Sequence, residues 1–232
     1  MSYQECMNFI EGTSEIAVSI RLLIAAFCGC MIGWERIAKR HSAGIKTFAL
    51  VSLGAAVATS LNLYLAMLPE VNSDVARIPA AVVSGIGFLG AGTILVTGRK
   101  QIKGLTTAAS LWVTACMGMA IGAGYLVIGL VCFVLVLIAN GILNHLSRRV
   151  EEHSQYMSIY FEVEKSHGVT KLLSLLNEQN YAVTSMNKTK EKTLRESDVA
   201  LLVDLDLNHH ANHLEIMKMF NEHEFINYAE EI

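Results

Sequence analysis

Glu35 and Arg36 stand side by side at the end of an apolar stretch, and Glu35 is the only acid between Glu15 and Glu70. An acid at a bilayer boundary does nothing for topology, because orientation follows Lys and Arg. Its chemical use there is to hold a basic partner, and Lys46, Arg99 and Lys103 are at hand. The plainer reading is interface anchoring, with Trp34 at headgroup depth beside Arg36. A second group of polar atoms comes from the run Ser84-Gly85-Ile86-Gly87-Phe88-Leu89-Gly90-Ala91-Gly92 and from Thr106, Thr107 and Ser110. Backbone carbonyls and hydroxyls of this kind can touch an ion or water in a close-packed core. Thr106 and Thr107 also suit a helix N-terminus, which beside Lys100 and Lys103 favours anions over cations. His209 and His213 are four apart, one helical turn, and two such histidines can bind zinc; the alternative is a pair of solvated surface histidines. There is no nucleophile–base set, phosphate loop or H-E-x-x-H, so the chain does not read as an enzyme, and no cofactor is expected.

The elements that position these residues are apolar and long. The chain has 232 residues, 53% of them hydrophobic and only 17% charged. Five stretches approach the ~20 residues that a bilayer demands. They run from about Ile16 to Gly33, Phe48 to Leu68, Ile78 to Val96, Leu105 to Gly122, and Tyr125 to Leu143. The glycine run contains G-x-G-x-x-G, but a dinucleotide loop needs a strand before it and a helix opening after it. Here it lies inside the third span, where glycines let another helix come close. The run therefore reads as a tightly packed centre, one that Gly87→Leu should disrupt. Gly29 and Gly33, and Gly118 and Gly122, step by four in the same way. Arg21 and Asn62 fall within spans; Arg21, about one turn in, can snorkel to the interface.

Charge divides the chain in two. Residues 1–150 carry a balance of +5 and residues 151–232 a balance of −8. The basic residues gather in alternate loops, at Arg36 to Lys46, Arg99 to Lys103, and Arg148 and Arg149. The positive-inside rule then puts the N-terminus outside and the C-terminal part in the cytoplasm. The acidic tail speaks against nucleic-acid binding. Ile159, Phe161 and Val163 alternate with polar residues as a strand, and so do Val199 to Leu207. Helical stripes through Leu172 to Leu176 and through Leu214 to Phe220 complete a βαββαβ order. That is the ferredoxin-like split βαβ arrangement, and it resembles ACT regulatory domains. The expected organisation is a five-span helical membrane domain over 1–147, a linker over 148–155, and a small α+β ACT-like domain over 156–232.

Four separated motifs occur in order. Gly33-Trp34-Glu35-Arg36 closes span one, and Ala43-Gly44-Ile45-Lys46-Thr47 opens span two. Arg77-Ile78 leads into the glycine run, and Lys103-Gly104-Leu105-Thr106-Thr107 through Trp112 opens span four. Together they resemble the MgtC/SapB family of bacterial inner-membrane proteins. Lys46 stands where that family has Arg, which keeps the charge and loses the guanidinium fork. The resemblance implies Glu35, Arg36, Lys46, Arg77, Ser84, Gly85, Gly87, Gly90, Gly92, Lys103, Thr106, Thr107 and Trp112 as functional or packing positions. It implies adaptation to low magnesium and adjustment of ion or proton economy through other membrane machinery. The alternative is a cation transporter or channel. The expected partners are the bilayer, another membrane protein complex, a second copy of the chain, and a small ligand on the C-terminal domain.

Overall fold

The computed structural model describes residues 12–38, 43–69, 74–97, 102–151, 154–189, 193, 197–208 and 211–232. They divide into two compact units, Met1–Leu95 with Lys103–Ile142, and Val96–Ile102 with Leu143–Ile232. The division after Ile142 precedes the expected boundary at 147, and the short segment 96–102 joins the second unit.

The first unit is a helical membrane bundle. Helix α1 (Glu15–Ala38) carries Glu15 in its first turn and Arg36 in its last, both favourable to its dipole. It runs past Gly33, so Trp34, Glu35 and Arg36 are helical. Helix α2 spans Ile45–Met67, α3 Arg77–Gly92, α4 Leu105–Gly122 and α5 Leu126–Ile138. A π-helical turn, Ala139–Leu143, passes directly into α6 (Asn144–Glu151).

Among the described residues four helices are long and apolar enough to cross a membrane: Glu15–Ala38, Ile45–Met67, Leu105–Gly122 and the continuous Leu126–Ser147. The third expected span, Ile78–Val96, is shorter than its apolar length. Helix α3 has 16 residues, or about 24 Å at 1.5 Å per residue, against a core of about 30 Å. It ends because Thr93 turns back, its hydroxyl donating to the Gly90 carbonyl at 2.8 Å. Leu95–Val96 (β1) then pairs with Ile102–Lys103 (β2). Gly104 follows with φ +98°, and a β-carbon there would collide with the Thr93 carbonyl oxygen, so the junction requires glycine.

Helices α1, α2 and α4 touch backbone to backbone. A β-carbon on Gly29 would sit 2.6 Å from the Phe48 carbonyl oxygen, and one on Gly33 would sit 2.6 Å from the Ile45 Cα. Gly118 and Gly122 lie as tightly against the Ser52 and Ala56 carbonyls. These two pairs hold the bundle's centre, where Phe48, Met117 and Ile121 are buried. Leu23, Phe27, Leu50, Leu61, Val131 and Leu135 point outward. In a chain with helices of this length, such a surface is solvated by lipid tails, and the protein is embedded in a bilayer.

The second unit contains an antiparallel sheet. Strands β3 (Tyr156–Glu164), β4 (Ala182–Lys188), β5 (Asp198–Asp206) and β6 (Ile226–Glu231) lie in the order β4-β5-β3-β6. Helices α7 (Gly168–Glu178) and α8 (His213–Asn221) share one core with alternate residues of β3, built on Ile159, Phe161, Val163, Leu172, Leu176 and Phe220. Tyr160, Ala200 and Leu202 occupy the opposite face. Register follows the alternation, with Phe161 across from Leu201 and Ile159 from Val203. Burial raises the Tyr181 phenol above its ordinary value, so it stays neutral at physiological pH.

His213 opens α8, and it is not a surface residue. It is 2% exposed. Nδ1 meets the Glu231 carboxylate, and Nε2 lies 3.0 Å from the Ser154 carbonyl oxygen. Both ring nitrogens are therefore occupied within the fold, and the pairing with His209 as metal ligands finds no support; His209 lies outside the described residues. No group of three metal-ligating side chains occurs among the described residues. His213→Ala should remove the ring's contacts to the Glu231 carboxylate and the Ser154 carbonyl and cost about 2 kcal/mol. The check is faster amide exchange in residues 226–231, with the Leu172 region unchanged.

Candidate functional site

The buried polar atoms of the bundle form a seam rather than a scatter. On α4, Thr107, Ser110 and Thr114 recur at i, i+3 and i+7, and all three are buried. From α1, Arg36 reaches this face. It is only 2% exposed, and its Nη2 donates to Thr107 Oγ1 at 3.2 Å across 71 residues of sequence. Its Nε has no acceptor among the described residues. Glu35 is half-buried with both oxygens withdrawn from solvent, and it acts on Arg36 through space. Further along, Ser110 Oγ donates to Asn140 Oδ1 at a long 3.4 Å, and Thr114 Oγ1 returns to the Ser110 carbonyl at 2.7 Å. Asn140 belongs to the π-helical turn, an irregularity that aims a polar side chain inward. Ser52 of α2 is buried too, and its hydroxyl has no partner among the described residues.

The expected positions separate into two groups. The structure brings Glu35, Arg36, Thr107 and Ser110 together on the α1–α4 seam. Lys46, Arg77, Lys103, Thr106 and Trp112 are exposed. Arg99, one of the basic residues expected near Glu35, lies outside the described residues.

The glycine run does not pack as expected. Gly90 alone meets another helix, its β-position 3.4 Å from the Ala108 methyl group. A β-carbon on Gly85, Gly87 or Gly92 would meet nothing within 4 Å, and Ser84 is exposed. The run turns its low-relief face away from the chain, with Phe88 81% exposed beside it. The reason is that α3 docks on α4 through Ile86 and Gly90, which lie one turn apart and are its two buried residues.

Ser52, Thr114 and Asn140 went unnoticed in the sequence. Thr114 had a signal, the i, i+3, i+7 spacing with Thr107 and Ser110. Asn140 had another, as the single amide in the apolar stretch 126–143. Arg21 is 5% exposed within the bundle. Asn62 donates to the Val75 carbonyl at 2.7 Å and ties α2 to the approach of α3.

The seam can fix helices and can hold an anion or water on a guanidinium and hydroxyls. No Asp or Glu falls among the buried residues described in the bundle.

Residues 22–149, from within α1 to within α6, match the MgtC family. The chain is similar to the "Putative magnesium transporter YhiD" of Escherichia coli K12, with 33% identity over 83% of this chain and 86% of that protein. An uncharacterized protein of Haemophilus influenzae is 34% identical over 76% of this chain and 77% of its own length. Protein MgtC of Salmonella typhimurium LT2 is 38% identical over 57% of this chain and 55% of its own length. A family match over more than half of the chain, together with a relative aligned through most of both chains, settles the kinship: this protein is a member of the MgtC family.

Proposed function

We propose that the chain is a regulatory protein of the bacterial inner membrane that acts on other membrane machinery when magnesium is scarce, and is not an enzyme. The carrying observation is the sign of the buried charge. Among the described residues of the bundle the buried charged side chains are Arg21 and Arg36, the half-buried Glu35 sets one carboxylate beside Arg36, and the remaining buried polar groups are neutral hydroxyls and amides. A path for Mg2+ needs oxygen ligands rich in negative charge, and guanidinium groups repel it. Arg36 on Thr107 instead makes a fixed joint between α1 and α4, suited to presenting a surface to a partner.

In this proposal α3 also crosses the membrane, thinning the bilayer locally. Five crossings then place the N-terminus outside and the sheet unit in the cytoplasm, in keeping with the basic loops. Labelling of cysteines placed at residues 69 and 154 should come from opposite sides, and labelling from one side overturns the five-crossing count. The strand order supports an ACT-like reading of the sheet unit, as a receiver of a small ligand or of a second copy.

The name carried by YhiD favours a second reading, magnesium transport. Proteoliposomes holding the full chain separate the two. With Mg2+, Mn2+, K+ and H+ gradients, flux should equal that of protein-free vesicles. A Mg2+ flux that rises with protein content and falls in Arg36→Gln would overturn regulation in favour of transport.

A further inference from the structure

The end of the bundle opposite Arg36 holds a pocket of about 640 Å3, within the usual range for ligand sites. Three elements build it. Val18 and Arg21 come from the first turns of α1, and Ser60, Leu63, Tyr64 and Met67 recur at i, i+3, i+4 and i+7 on the end of α2. The turn Gly122-Ala123-Gly124-Tyr125 closes the third side. Ser60 is occupied with that turn, its hydroxyl donating to the Gly122 carbonyl at 2.9 Å.

Arg21 stands apart from every other cation described in the bundle. It lines the pocket, is 95% buried, and makes no hydrogen bond or ion pair among the described residues; its Nε is withdrawn from solvent with no acceptor there. No Asp or Glu lines the cavity among the described residues. A guanidinium so placed costs several kcal/mol unless an anion answers it. Val18, Leu63 and Met67 make an apolar wall, the exposed Thr13 adds one hydroxyl, and Tyr64 and Tyr125 sit exposed at the rim, as aromatic residues do at headgroup depth.

We infer that this pocket binds an anionic lipid, with a phosphate oxygen on Arg21 and the acyl part along Val18, Leu63 and Met67. A planar five-donor fork matches a phosphate diester, and the apolar walls match what is attached to it. A bare divalent cation is excluded from the site by the same charge.

The test is thermal unfolding of the full chain, purified in a neutral detergent, with added phosphatidylglycerol, phosphatidylcholine or inorganic phosphate. Phosphatidylglycerol should raise the melting temperature by about 5 °C near a hundredfold excess over Kd, and the other two should not. Arg21→Met should fold, melting no lower than the wild type without lipid, and should lose the phosphatidylglycerol shift. Val18→Phe keeps the charge and fills the apolar wall, and it should lose the shift as well. Equal shifts in wild type and Arg21→Met would overturn the assignment. So would a shift from inorganic phosphate as large as that from the lipid, since the apolar walls would then contribute nothing.

Discussion

Gly118→Leu is expected to leave little folded protein in the membrane, while Gly87→Leu accumulates like the wild type. Both changes add the same side chain to an apolar helix, and leucine is favourable in a bilayer, so insertion does not distinguish them. What differs is the neighbour. A β-carbon on Gly118 already collides with the Ser52 carbonyl oxygen of α2, and backbone cannot rotate away as a flexible side chain can. Separating α2 from α4 there would cost about 3 kcal/mol or more and break the crossing repeated one turn on at Gly122. Gly87 faces open space. The measurement is the monodisperse, detergent-soluble fraction and its melting temperature. A Gly118→Leu protein that melts like the wild type would show that the helices do not meet there. Any loss in Gly87→Leu would report a neighbour outside the chain.

Glu35→Gln carries the second large effect. Arg36 is almost fully buried, and Thr107 is its one hydrogen-bond partner among the described residues. Neutralising Glu35 removes the adjacent carboxylate that compensates the guanidinium, a loss of about 2 kcal/mol for a half-buried acid. Lys46→Gln, on an exposed residue, should change stability by less than about 0.5 kcal/mol. Adding Arg36→Met to Glu35→Gln should recover most of the stability, because the stranded charge is gone. In low-magnesium growth normalised to protein level, the double variant should stay defective. Recovery of growth together with stability would show that the pair only holds helices together.

The long apolar helices were legible because length and composition alone decide them. The sheet unit was legible because alternation at period two is unambiguous over nine residues of β3 and of β5. Two things were not. A stripe of small residues says that a helix can be approached, never by which neighbour. The stripes at Gly29/Gly33 and Gly118/Gly122 found partners inside the chain, and the one at Gly85/Gly87 did not. The end of α3 was also hidden, since Leu95 and Val96 are as apolar as a span and as extended as a strand. The site was legible in part. Glu35 drew notice as an isolated acid, and the neighbouring Arg36 is a buried cation on which its charge acts. The Arg36–Thr107 contact joins positions 71 residues apart, and no local pattern announces it.

The π-helical turn has a geometric consequence. An α-helix advances about 100° per residue, and a π turn accommodates one residue more before closing its hydrogen bond. Side chains within the turn are therefore shifted by roughly one residue's angle from where an unbroken α5 would have carried them. The division between the two units falls inside this turn, at Ile142 and Leu143. Within the bundle the same extra residue decides which side chain faces the seam, and at this position it is Asn140, set against Ser110, much as one extra tooth sets the phase of a gear.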